Sequence, residues 1–229
     1  MGFCVAIDGP AGAGKSTIAK IIGERFNLMY INTGAMYRAV TLKAMNVNIT
    51  ENNVDDLVKM VESLEMHFEK ERLFVSGEDL TDMINMPIIS NNVSRYAAVP
   101  EVREILVKLQ QNIAKKFDVI MDGRDIGTVV LTDATFKFYL TASCEERAKR
   151  RYDELMSKDI EVDYNAILEE IIKRDYNDSH REFSPLTKAK DAIEIDSSAL
   201  NINGVVDKIG EYINVNIKKI NCSIFNGLI

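Results

Sequence analysis

Gly9-Pro-Ala-Gly-Ala-Gly14-Lys15-Ser16 fits the phosphate-loop pattern G-x-x-x-x-G-K-[ST]. Its context carries as much weight as the pattern. The apolar run Phe3 to Ile7 before it reads as a buried strand, and Ile18, Ile21, Ile22 and Phe26 after it stand at helical spacing. Glycines let backbone N–H groups turn inward around phosphate oxygens, and a helix starting near Lys15 points its positive dipole end at the same anion. Gly9, Pro10, Ala11, Gly12, Ala13, Gly14, Lys15, Ser16 and Thr17 are therefore expected to hold a nucleotide's phosphates. The Lys15 ammonium would bridge the β- and γ-phosphates and the Ser16 hydroxyl would ligate Mg²⁺.

Outward from this loop the chain alternates strand and helix. Leu28 to Ile31 reads as a second strand, punctuated by Asn32-Thr33-Gly34 and followed by a helix with Met36, Val40 and Met45 as apolar positions. Thr33, Tyr37 and Arg38 then fall at a strand's carboxyl end, where open α/β sheets bind ligands. A core role for Tyr37 and a solvated charge for Arg38 remain open at this point. Thr50 to Leu64 reads as a helix, after which the period changes. Met66, Phe68, Leu73, Val75 and Leu80 alternate with polar residues, and Lys70-Glu71 and Gly77-Glu78 supply turns, so a small antiparallel meander is expected. Thr81 to Ala98 reads as loop and helix. Pro100 opens a further helix with Val102, Ile105, Leu106, Leu109 and Ile113 inward. The interruption of the α/β alternation marks an inserted subdomain.

The alternation resumes at Asp118-Val-Ile-Met121, a strand ending in Asp122-Gly-Arg-Asp125. An acid there, near a phosphate loop, suits Mg²⁺ or its water, which singles out Asp122. Arg124 can neutralise phosphate and Asp125 can accept hydrogen bonds from a base; a surface salt-bridge turn is the alternative. Phe136 to Leu140 is a fourth strand, and Ser143-Cys-Glu-Glu146 has the form of a capping box. The helix it opens carries Arg147, Arg150 and Arg151. A second helix from Asp163, with Ile167, Leu168, Ile171 and Ile172 inward, ends in Arg174 to Arg181, where Arg174 and Asp178 lie one turn apart. Charged helical hairpins are commonly solvated faces. An arginine excess beside a phosphate loop favours a closing lid. Ala192 to Ile195 is the fifth strand, Val205, Val206, Ile209 and Ile213 mark a last helix, and Asn221 to Ile229 reads as a tail without period.

Composition sets the limits. The chain has 229 residues, 46% of them hydrophobic, and a net charge of −7, which disfavours general nucleic-acid binding. No apolar run approaches the ~20 residues of a membrane span, and neither a signal peptide nor a myristoylation context fits the start Met-Gly-Phe-Cys. Cys4, Cys144 and Cys222 are odd in number and scattered, as expected of reduced thiols in a cytoplasmic protein, and His67 and His180 are too isolated for a metal site.

With these residues in hand the sequence resembles the bacterial cytidylate kinases, a family of nucleoside monophosphate kinases, over nearly its whole length. The carriers are Ile7-Asp-Gly-Pro-Ala-Gly-Ala-Gly-Lys-Ser16, Thr33-Gly-Ala-Met-Tyr-Arg38, Val102-Arg-Glu104, Asp122-Gly-Arg-Asp-Ile-Gly-Thr128, Glu146-Arg-Ala-Lys-Arg-Arg151 and Arg174-Asp-x-x-Asp178-x-x-Arg181 with Pro185-Leu186. Thr33 stands where the family often has Ser, and the Mg²⁺ hydroxyl falls to Ser16 alone or is shared with Thr17. The resemblance implies an α/β phosphate-loop kinase fold: a five-stranded parallel sheet flanked by helices, an inserted acceptor-binding subdomain with a small antiparallel sheet, and a helical lid. As one phosphate-loop kinase chain, the core covers about 1–63, 116–152 and 182–219, the insert about 64–115, the lid about 153–181 and the tail 220–229.

The resemblance also implies roles. Ser94, Arg103 and Asp125 would read the cytosine edge, and Arg174 and Asp178 would hold the acceptor's ribose. Arg38, Arg124 and Arg181 would bind its phosphate, with Thr33 and Tyr37 beside them. Arg147 and Arg151 would approach the ATP phosphates, which makes Lys15, Arg124, Arg181, Arg147 and Arg151 the catalytic set. The implied reaction is Mg²⁺-assisted transfer from ATP to CMP or dCMP, by a monomer in the cytoplasm without nucleic-acid or membrane partners. Kinases for UMP, dTMP or shikimate are the alternatives, followed by a regulatory nucleotide switch.

Overall fold

A strand whose every residue is apolar except the last has to lie inside a sheet covered on both faces. Cys4–Asp8 (β1) is such a strand, with all five positions buried. The computed structural model describes residues 2–226, with side chains through Lys219. Two neighbours flank β1 in parallel register: Val119–Gly123 (β6), where Asp8 sits opposite Gly123, and Phe136–Thr141 (β7), where Asp8 sits opposite Tyr139. Met29–Asn32 (β2) and Ile193–Asp196 (β8) complete a five-stranded parallel sheet in the order β2-β6-β1-β7-β8. Successive side chains of a strand point to opposite faces. Cys4 and Ala6 accordingly join one apolar cluster, whereas Val5 and Ile7 join another.

The second cluster is closed by Lys15–Phe26 (α1) and Ile202–Asn226 (α8), through Ile18 and Ile22 from the former and Val205, Ile209 and Ile213 from the latter. The first cluster is larger. It holds Met36 and Val40 of Thr33–Asn46 (α2), Leu57 and Val61 of Val54–Glu62 (α3), and Val102 and Leu106 of Pro100–Ala114 (α5). Into it the meander Met66–Glu69 (β3), Arg72–Val75 (β4) and Glu78–Asp79 (β5) buries Met66, Phe68, Leu73 and Val75. A short 3₁₀ turn, Met83–Asn85, and Pro87–Tyr96 (α4) follow the meander. The insert thus shares its core with α2.

Cys144–Met156 (α6) and Tyr164–His180 (α7) form the expected helical hairpin between β7 and β8. Three local expectations need correction. Ser143 Oγ does accept from Glu146 N, at 3.1 Å, but the reciprocal half of the box is missing. Ser143 N donates to Ser198 Oγ, and the Glu146 carboxylate accepts from Arg150 Nε. Ile172 is exposed: five residues beyond buried Ile167, it stands about 140° round the helix from it. The segment read as a tail is helical through Asn226, because no glycine or proline interrupts the chain between Gly210 and Gly227. Gly227–Ile229 lie outside the described residues.

At the end of β1 the chain turns sharply at Gly9, whose φ is +147°. A β-carbon there would lie 2.0 Å from the Leu140 carbonyl oxygen of the neighbouring strand. Gly9→Ala should therefore separate β1 from β7 and destabilise the fold by more than about 3 kcal/mol, measured by urea denaturation. A variant with wild-type stability would contradict this packing.

Candidate active site

Parallel strands deliver their carboxyl ends to one edge of the sheet, and the loops leaving those ends build the site. Register places Asn32 of β2 opposite Asp122 of β6, and Asp8 of β1 opposite Gly123. Three hydroxyls are tied directly to Asp122. Ser16 Oγ donates to Asp122 Oδ2 at 2.8 Å, Tyr30 OH to Asp122 Oδ1 at 2.8 Å, and Thr33 Oγ1 to the Asp122 carbonyl at 2.7 Å. Burial, and next the Asp122 charge, raises the Tyr30 pKa, so its hydroxyl stays a donor. Lys15 is buried and donates to the Pro10 carbonyl at 2.7 Å. Burial first, and then the nearby Arg124 charge, holds its pKa well below the usual lysine value.

Sequence reasoning missed Asp8. Its Oδ1 accepts from Ile126 N at 2.8 Å and its Oδ2 from Gly127 N at 2.7 Å. It thereby pins the wide helical turn Ile126–Val130 that follows Arg124 and Asp125. Burial pushes its carboxyl up to about 6, against the pull of the two backbone N–H groups. The available signal was an acid at the end of an otherwise apolar strand, immediately before the glycine loop.

The cavity beyond Asp122, of about 210 Å³, brings together every residue expected to bind the acceptor: Thr33, Tyr37, Arg38, Ser94, Arg103, Arg124, Asp125, Arg174, Asp178 and Arg181. They come from α2, α4, α5, the end of β6 and α7. Arg103 Nη2 donates to Asp125 Oδ2 at 2.5 Å and its Nη1 to the Ala97 carbonyl at 3.0 Å, while its guanidinium carbon stands 5.1 Å from the centre of the Tyr37 ring. Burial pushes the Tyr37 hydroxyl up to about 12. Arg124 Nε donates to Asp178 Oδ2 at 2.7 Å, and Arg181 Nη2 lies 3.9 Å from Asp125 Oδ1. Burial opposes the charge of Asp178, but Arg124 and Arg174 more than offset it and hold its carboxyl below the usual range.

This lining carries six basic side chains, Lys15 among them, against three carboxylates. Four buried guanidinium atoms in it, Arg38 Nε, Arg103 Nε, Arg174 Nε and Arg181 Nη2, have no hydrogen-bond partner. Burial lowers the pKa of Arg38, Arg174 (to about 10) and Arg181. Buried donors normally find partners, so a cavity concentrating unpartnered ones is built for an anion rich in acceptors.

A second, more open cleft lies on the other side of the loop, lined by Gly12 to Ile18, by Arg147, Arg150, Arg151 and Glu154 of α6, and by Ser197 to Val205 in part. Gly9 and Pro10 line neither cleft; they shape the loop from behind. Arg151 is half-exposed and paired with Glu154 at 2.8 Å, whereas Arg147 is buried. Among the described residues no group of three or more His, Cys, Asp or Glu could hold a metal by itself. The touching oxygens of Ser16 and Asp122 nevertheless suit Mg²⁺, which favours one or two protein oxygens completed by phosphates and water.

A phosphate loop at the carboxyl edge of a five-stranded parallel sheet, facing an arginine-rich cavity under an inserted subdomain, defines a nucleoside monophosphate kinase of the phosphate-loop fold. Comparison narrows the class. The profile of the cytidylate kinase family matches residues 5–215, and the chain belongs to that family. It is 66% identical over 208 residues to a cytidylate kinase of Clostridium perfringens strain SM101, an alignment covering 91% of this chain and 96% of that one. It is 63% identical over 213 residues to a cytidylate kinase of Clostridium acetobutylicum, covering 93% and 98%. Among solved structures, an uncharacterized protein from Eubacterium ventriosum superposes with a TM-score of 0.52 at 15% identity, covering 94% of this chain and 99% of that one, a likeness of fold alone.

The Asp8 geometry has a measurable consequence. Its carboxyl pKa is raised from 3.8 to about 6, so between those values the folded protein keeps a proton that the unfolded chain has released. Stability contributed by this group is therefore lost as pH rises through that window. Urea denaturation at several pH values should show wild type losing stability relative to Asp8→Asn from about 3.8 to about 6, and no further change above. A difference that grows in favour of wild type with rising pH would contradict it.

Proposed function

We propose that the protein transfers the γ-phosphoryl group of ATP to the phosphate of CMP or dCMP, releasing ADP and CDP or dCDP. The observation that carries this reading is the set of four unpartnered buried guanidinium atoms in a cavity reached from the phosphate loop. Membership of the cytidylate kinase family supports the choice of acceptor.

An acceptor phosphate oxygen attacks the γ-phosphorus, the bond from that phosphorus to the β,γ-bridging oxygen breaks, and the charge ends on ADP. The nucleophile is already anionic, so catalysis is positioning and charge neutralisation, without a strong general base. Lys15 and the loop N–H groups would hold the donor phosphates, and Arg38, Arg124 and Arg181 the acceptor phosphate. Arg174 and Asp178 would hold the ribose, with Thr33 and Tyr37 closing the cavity beside them. Ser94, Arg103 and Asp125 would read the base. Arg151, at the open cleft, would reach the ATP phosphates. Ser16 and Asp122 would hold Mg²⁺, which when bound neutralises charge on the phosphates.

The chain is read as one kinase unit. Its core is about 1–63, 116–152 and 182–219, its acceptor insert about 64–115, and its lid about 153–181, within the α6–α7 hairpin. A monomer is the proposed state. Among the described residues no helix is long and apolar enough to cross a membrane. A cytoplasmic location agrees with the ATP and CMP that the reaction uses.

Cytosine offers an N4 amino donor and an N3 acceptor, whereas uracil reverses both. The Asp125 carboxylate can accept from the first and is repelled by uracil O4, and Arg103 is a pure donor suited to cytosine N3. One such mismatch costs about 1–3 kcal/mol, so kcat/KM for CMP should exceed that for UMP by roughly tenfold to more than a hundredfold. Asp125→Asn should shrink the ratio, mainly through lost activity on CMP. An unchanged ratio would remove Asp125 from base reading. Lys15→Ala should lower kcat by about two to three decades in a folded protein, and a near-normal kcat would exclude Lys15 from the transition state.

A further inference from the structure

An arginine that reaches for a substrate phosphate needs N–H groups to spare. Arg147, 2% exposed near the start of α6, has none. Its Nε donates to the Ala142 carbonyl at 3.0 Å. Its Nη1 donates to the Ala11 carbonyl at 2.9 Å and to Asp175 Oδ1 at 3.1 Å. Its Nη2 donates to Asp175 Oδ2 at 2.5 Å and to Cys144 Sγ at 3.1 Å. Every guanidinium N–H is therefore engaged within the protein.

Both ends of this arrangement touch functional elements. Ala11 belongs to the phosphate loop, and the Arg147 stem lies against the next residue: a β-carbon on Gly12 would stand 3.4 Å from Arg147 Cβ. In a trans peptide the carbonyl and the following N–H point in opposite directions. With its carbonyl held by Arg147, the Ala11–Gly12 peptide is fixed in orientation with the Gly12 N–H directed away from that guanidinium, and Gly12 lines both clefts. At the other end, Asp175 sits on α7 immediately after Arg174 and three residues before Asp178, both of which line the acceptor cavity. Asp175 itself projects from the neighbouring face toward α6 and grips Arg147 bidentately.

We propose that Arg147 and Asp175 form a strut between the acceptor cavity and the phosphate loop: positioning residues that set the Ala11–Gly12 peptide for the donor when α7 is drawn onto the acceptor. The proposal rests on reading α7 as the acceptor-sugar helix. It removes Arg147 from the residues that touch ATP and leaves that task on α6 to Arg151, which is bound only to exposed Glu154.

The test is a double-mutant cycle in the full chain with Arg147→Lys, Asp175→Asn and the pair, each checked for folding by thermal melting. The readouts are the affinities for a non-hydrolysable β,γ-imido analogue of ATP and for CMP, each with and without the other at saturation, and the kcat and KM for each substrate. In the strut, each single change should weaken analogue binding in the presence of CMP by about tenfold, weaken CMP binding to the analogue-saturated enzyme by the same factor, and leave CMP binding to the free enzyme within about twofold. The double variant should then be no worse than the worse single. Additive losses, weakening that is equal with and without CMP, or wild-type behaviour of both singles would overturn it. So would a kcat loss of about a hundredfold in Arg147→Lys with none in Asp175→Asn, because Arg147 would then act on the phosphates directly. Should Arg147→Lys fail to fold, the CMP dependence of analogue binding in Asp175→Asn decides alone. A wild type inactive on CMP would instead refute the functional reading.

Discussion

Guanidinium groups repel one another and resist leaving water, yet this protein gathers Arg38, Arg103, Arg124, Arg174 and Arg181 around one cavity. The rest of the structure is arranged to make that tolerable. Asp125 and Asp178 each take one arginine at hydrogen-bond distance, Arg103 and Arg124 respectively. The Tyr37 ring lends its face to Arg103. What these partners leave unsatisfied is a set of donors with no acceptor in the protein, and burial lowers the pKa of Arg38, Arg174 and Arg181 as a result. A phosphate group bearing several acceptor oxygens would relieve that cost, so the proposed anion binding and the internal repulsion follow from one arrangement.

Holding such a cluster demands a stiff frame, and the parallel sheet provides it. The carboxyl ends of β1, β2 and β6 fall level, so Asp8, Asn32 and Asp122 meet at one edge without any long-range loop closure of their own. Two buried carboxylates then do different work. Asp122 gathers Ser16 and Tyr30, and its carbonyl takes Thr33, joining the phosphate loop to the start of α2. Asp8 takes two backbone N–H groups and fixes the turn that presents Arg124 and Asp125. The hairpin α6–α7 adds a third tie, since Arg147 holds Ala142, the phosphate loop and α7 at once.

How much of this was legible in the sequence depended on whether the chemistry was local. The glycine-lysine loop between a strand and a helix pointed to a nucleotide site from eight consecutive residues, Gly9 to Ser16. Unbroken apolar runs marked β1, β2 and β6, and the switch to alternation marked the meander. Residues carried by the resemblance, such as Ser94 on α4, could not have been reached by spacing, because only the fold brings them to the same cavity as Arg174. Asp8 and Asp175 were missed for a related reason. Each acts on backbone or side chains more than a score of positions away, and nothing beside them in the chain announces the partner. Arg147 looked like its neighbour Arg151, one turn on. Burial and partner geometry separate them, and a helical pattern reports neither.

The most direct test is to follow ADP release from ATP in the presence of CMP, dCMP, UMP, dTMP and shikimate in turn, at equal concentrations well below saturation. A cavity that offers guanidinium donors to a nucleotide phosphate and a carboxylate to the cytosine amino group should turn over CMP or dCMP at least about tenfold faster than any of the others. Rates for UMP equal to those for CMP, or transfer to shikimate at a comparable rate, would contradict the account.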